Sequence, residues 1–144
     1  MRFMMLMIPK GYEKAQPGAM PDAKAVAAMM KYNESLQKAG VLLALDGLHP
    51  PSMGARVSFS GGKPKVTDGP FTETKEVLGG YWMIQVKSKE EAIEWVKRWP
   101  SIDAHGEVEL EIRQVFEAED FGPEFTHEVR EQEERLRAES SKKK

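Results

Sequence analysis

The chain has 144 residues, 40% of them hydrophobic and 31% charged, a length that predicts one compact domain rather than two. Its 21 lysines and arginines against 23 aspartates and glutamates give a formal net charge of -2, which excludes the basic excess of a dedicated duplex-binding protein. The absence of cysteine excludes disulfides, thiolate metal sites and cysteine nucleophiles, and no apolar run reaches the roughly 18 residues of a membrane span. Together these features predict a soluble cytoplasmic protein with no membrane or nucleic-acid partner.

Residues 2 to 8 form an apolar stretch closed by Pro9, Lys10 and Gly11, the length of a strand. Phe3, Met5 and Met7 occupy one parity and Met4, Leu6 and Ile8 the other, so both faces of this strand are expected to be covered, one by helices and one by a partner subunit. Asp22 then caps a helix running to about Ala39, with Gly40 as its stop and Ala25, Met29, Tyr32 and Leu36 as its apolar stripe. Val41 to Leu45 reads as a second strand. Pro50 and Pro51 cannot continue a central ladder, which places Asp46 and His49 at a strand end or loop.

Ala55 to Ser60 and Lys63 to Thr67 read as a hairpin turned by Gly61 and Gly62. An ordered loop over residues 68 to 76 follows, with Phe71 as its aromatic anchor. Tyr81 to Val86 is a further strand with apolar groups on both parities. Ser88 and Glu91 form a capping box for a second helix, whose stripe is Ala92, Trp95, Val96 and Trp99 before Pro100 ends it. Val108, Leu110 and Ile112 alternate with charged residues, the pattern of a half-wet strand. Residues 124 to 139 suggest a charged terminal helix with a thin apolar stripe.

Apart from the hairpin return, the order strand, helix, strand, strand, helix, strand fits an α+β, ferredoxin-like sandwich with an added hairpin strand. Its uncovered sheet face predicts a homodimer. A five-stranded domain closed by its own terminal helix is the structural alternative. The domain is expected over residues 1 to 121, and residues 122 to 144 form a charged, partly helical extension.

The run from Val66 through Asp68, Gly69, Pro70 and Phe71 to Gly79, Gly80 and Tyr81 resembles the signature of the DGPF family, within the YCII-related proteins. Gly47, Leu48, His49 and Pro50, Glu90 to Ala92 with Trp95 and Pro100, and Glu109 to Arg113 extend the resemblance over roughly residues 1 to 121. It implies a dimeric α/β barrel of ferredoxin-like domains. It implies no single reaction, although some wider relatives are enzymes or carry a His-Asp pair proposed for acid-base chemistry. His49 lies in this branch's Gly-Leu-His-Pro motif and is not equated with that histidine.

Asp68 and His49 are the candidate catalytic residues. A carboxylate such as that of Asp68 acts as a base when partly desolvated, whereas an Asp before Gly-Pro also serves simply to hold a turn. Histidine takes and returns a proton near neutrality, and Asp46 lies three positions before His49. Glu73 and Lys75 offer charge to a polar ligand, and Phe71 or Tyr81 can line a small aromatic pocket. Arg113 would meet an anionic substrate, or pair with Glu111 or Asp68. The histidines at 49, 105 and 127 lack compact ligand spacing, so neither a metal nor another cofactor is expected. The leading expectation is a protein binding a small polar or aromatic metabolite in a dimer cleft. The alternatives are a cofactor-free lyase or isomerase with Asp68 or His49 as base, and a structural or regulatory interaction protein.

Overall fold

The computed structural model describes residues 1–71, 76–100 and 107–142. It separates into a compact unit over Met1–Gln114 and a second that begins at Val115. The first contains strands β1 (Arg2–Pro9), β2 (Leu42–Gly47), β3 (Ala55–Ser60), β4 (Lys63–Asp68), β5 (Gly80–Gln85) and β6 (Val108–Gln114), with helices α1 (Ala23–Lys38) and α2 (Lys89–Val96). The second contains α3 (His127–Lys142), which has no buried residue, as its thin apolar stripe predicts.

Four strands pair in the order β2-β5-β1-β6, antiparallel throughout, the ferredoxin-like arrangement expected from element order. The hairpin β3–β4 does not add a strand to this sheet but forms a separate two-stranded sheet. Among the described residues the main sheet is open, ends at β2 and β6, and neither closes nor curls into a barrel. The expected dimeric α/β barrel is therefore corrected: apolar residues on both parities gave β1 and β5 their central positions without closing the sheet.

The core lies on one face of the main sheet. Phe3 and Met5 of β1 and Trp82 and Ile84 of β5 pack with Tyr32 and Leu36 of α1 and Ala92 of α2. Met4, Leu6 and Met83, on the alternate parity, are only half-buried. The helix ends follow the predicted chemistry. Asp22 accepts the Ala25 amide at 2.8 Å, and Gly40 takes φ 74 beyond the last turn, where a Cβ would be strained. Ser88 accepts the Glu91 amide at 3.1 Å, while the Glu91 carboxylate reaches past the cap to the Lys87 amide at 2.8 Å.

Candidate functional site

A cleft of about 620 Å³ opens on the core face of the sheet, at the N-terminal half of α1. Met7 and Pro9 of β1, Leu45 of β2 and Trp82 of β5 supply its sheet wall, and Val26, Met29, Met30 and Asn33 supply its helix wall. Residues 10 to 21 run along it as an irregular strap. Side-chain hydrogen bonds fasten the strap, the Tyr12 hydroxyl donating to the Leu48 carbonyl and the Ser52 hydroxyl to the Ala15 carbonyl at 3.1 Å, and the Lys10 amide donates to the Glu107 carbonyl at 3.1 Å. Burial pushes the Tyr12 phenol up, so it remains a hydrogen-bond donor across the neutral range.

Gly79 keeps the back of this cleft tight. Its amide donates to the Met7 carbonyl at 2.8 Å and its carbonyl accepts the Leu48 amide at 2.9 Å. A Cβ at Gly79 would lie 2.7 Å from Cγ of Pro9, so the close approach of the β1, β2 and β5 ends requires glycine there.

His49 lines the cleft and is exposed, and nothing among the described residues hydrogen-bonds its imidazole. Asp46 borders the same cleft, but the sequence spacing does not deliver a carboxylate–imidazole pair. Leu45 faces the core, so strand alternation turns the Asp46 side chain toward the opposite sheet face. There its carboxylate accepts the Tyr81 hydroxyl at 2.9 Å. That hydrogen bond and the adjacent negative charge raise the Tyr81 phenol.

The remaining candidates lie elsewhere. Asp68 ends β4 opposite Ala55 and is exposed, and it is not part of the cleft's described lining. Gly69, which follows it, is held by backbone packing. The Gly69 amide donates to the Gly54 carbonyl at 2.9 Å, and a Cβ on Gly69 would fall 1.6 Å from the Pro51 carbonyl oxygen. Phe71 is half-buried beneath the Arg56 guanidinium, whose carbon lies 4.3 Å from the ring centroid. Arg113 is exposed on β6 and pairs with Glu111 at 3.4 Å, one of its two expected structural partners. Glu73 and Lys75 lie outside the described residues.

Asn33 is a cleft residue that the sequence reading missed. It is 8% exposed, and its Oδ1 accepts the Trp82 indole N–H at 2.8 Å. Its signal was a polar side chain four residues after Met29 and three before Leu36, on a helix face otherwise apolar.

An open ferredoxin-like sheet with a small-molecule-sized cleft under its first helix defines the class of domain. The YCII-related domain matches residues 1–119, and the chain belongs to that family. An uncharacterised protein of Rhizobium meliloti (strain 1021) is 38% identical over 71 residues, covering 49% of this chain and 54% of that protein. The chain thus spans about half the length of that curated relative. A similar solved structure is the 5-chloro-2-hydroxyhydroquinone dehydrochlorinase TftG of Burkholderia phenoliruptrix in complex with 2,5-dihydroxybenzoquinone. It shares 14% identity at a TM-score of 0.45, over 85% of this chain and 100% of that one. No helix among the described residues is long and apolar enough to cross a membrane.

Proposed function

We propose that the chain binds a small, largely apolar metabolite in the α1 cleft and acts on it as a cofactor-free lyase or isomerase, with His49 as the proton-transfer group. The observation that carries this reading is the cleft itself: about 620 Å³, walled by methionines and Trp82, with an imidazole on its lining that has no hydrogen bond among the described residues. Such a volume lies within the range of small-molecule sites, and a few polar groups on an apolar lining are their usual composition. His49 is preferred to Asp68 as the base because it lines this cleft. The run from Val66 to Tyr81 supports placement in the DGPF branch, and the absence of cysteine suits a reducing, cytoplasmic setting.

A thermal-shift screen of small aromatic and carbonyl metabolites, followed by turnover assays on each binder, tests the reading. His49→Gln should leave binding and folding near wild type while turnover falls about 100-fold or more. Full turnover in the folded variant overturns His49 as the base.

The half-buried Met4, Leu6 and Met83 on the second sheet face support self-association of the chain as an open-sheet homodimer. Sedimentation equilibrium should show a dimer, and a persistent monomer rejects it.

A further inference from the structure

Asn33 has more hydrogen-bonding capacity than the protein uses. Its amide orientation is fixed by chemistry: the Trp82 indole is solely a donor, so the oxygen of Asn33 must face it, at 2.8 Å. The amino group Nδ2 is thereby directed the other way. Among the described residues it meets only the thioether sulfur of Met30, one turn back on α1, at 3.9 Å. A thioether is a weak acceptor, and Nδ2 carries two hydrogens. Asn33, 8% exposed in the wall of a ligand-sized cleft, therefore carries a strong donor without a strong acceptor among the described residues. Buried donors are normally satisfied, and this one is fixed by a buried indole before any ligand arrives.

We propose that Asn33 is the recognition donor of the cleft and that the ligand places an oxygen acceptor, a carbonyl, enolate or phenolate oxygen, against its Nδ2. The inference rests on the cleft being the ligand site and adds the chemical class of the ligand. The apolar body of such a ligand lies among Met7, Met29 and Trp82, where thioether and aromatic surfaces suit a planar ring. The rival role for Asn33 is to satisfy Trp82 alone, which requires only its oxygen.

Acetophenone and α-methylstyrene separate the two roles, since they share a planar shape and differ in a carbonyl oxygen replaced by a methylene. Binding of each is followed by 1H–15N spectra of the Asn33 side-chain amide and the Trp82 indole. In wild type, acetophenone should shift the Asn33 amino protons and α-methylstyrene should not, while both shift the Trp82 indole resonance. Asn33→Asp retains an oxygen for Trp82 and removes the donor. At a pH where a 13C titration shows the new carboxyl ionised, it should weaken acetophenone about fivefold, the worth of one neutral hydrogen bond, and leave α-methylstyrene unchanged. Equal loss of both probes, loss of neither, or an unmoved Asn33 resonance with acetophenone bound in the cleft overturns the inference alone. Failure of both probes to reach the cleft overturns the ligand-site reading as well. Because the wild-type spectra suffice, the test survives an Asn33→Asp variant that does not fold.

Discussion

The loop after β4 and the α1 wall of the cleft are built from different materials. At Gly69 the chain presses backbone against backbone, close enough to the Pro51 carbonyl to leave no room for a Cβ. At the cleft, side chains of Met7, Met29, Asn33 and Trp82 stand around open space. The first region has the most distinctive run of residues in the chain, and its Asp68 is not part of the cleft's lining. The second is assembled from segments far apart in sequence, none with a telling motif. A distinctive run can thus record a packing requirement, while the lining of a cleft is spread over ordinary-looking positions.

The largest test of this contrast is Gly69→Ala. A methyl 1.6 Å from the Pro51 oxygen forces the two segments apart, and the loss should be on the order of 3 kcal/mol in urea unfolding. A change below about 1 kcal/mol would mean that the loop is not clamped by its backbone.

Tyr32 sharpens the other half of the comparison, because its hydroxyl donates to the Trp95 carbonyl at 2.7 Å and ties α1, the cleft's wall, to α2. Tyr32→Phe should cost about 1 kcal/mol at pH 8 by chemical denaturation. Burial pushes the Tyr32 phenol above its ordinary range, so the folded state holds that proton more tightly than the unfolded chain. Its contribution is complete below about pH 10, where tyrosine is protonated in both states, and is lost as the pH climbs beyond. The wild type should therefore lose stability faster than Tyr32→Phe above that pH in melts recorded at successive pH values.

Phe71→Ala is expected to have a smaller effect, below about 1 kcal/mol, since the ring is half-buried beneath Arg56 rather than packed in the core. A calorimetric loss of about 3 kcal/mol or more would mark Phe71 as a core anchor after all. Smallest of all, His49→Gln should move stability by no more than about 0.5 kcal/mol, because its exposed imidazole has no hydrogen bond among the described residues.

Much of the frame was legible because short-range physics writes it directly. Asp22 and Gly40 bracket α1, Gly61 and Gly62 turn the hairpin, and the alternation in β6 marks a half-wet strand. Long-range placement was less legible. Apolar residues on both parities of β1 suggested two covered faces, yet the parity containing Met4 and Leu6 is half-buried on an open sheet. Proximity of Asp46 and His49 in sequence suggested a pair, whereas alternation sent the Asp46 carboxylate to Tyr81. The loop position of His49 was legible because its prolines end the strand. Asn33 was not, because its partner Trp82 lies 49 residues away.

Four methionines line the cleft, and they differ in exposure. Met20 and Met30, 77% and 59% exposed, are the lining sulfurs most open to oxidants, ahead of the half-buried Met7 and Met29. Conversion of a thioether to a sulfoxide adds a strongly accepting oxygen to a formerly soft apolar group. At Met30 that oxygen would arise on the sulfur already touching Nδ2 of Asn33 and would claim its amide hydrogens. Oxidative ageing would then blunt the cleft from within by occupying its buried donor, and methionine sulfoxide reductase would restore it.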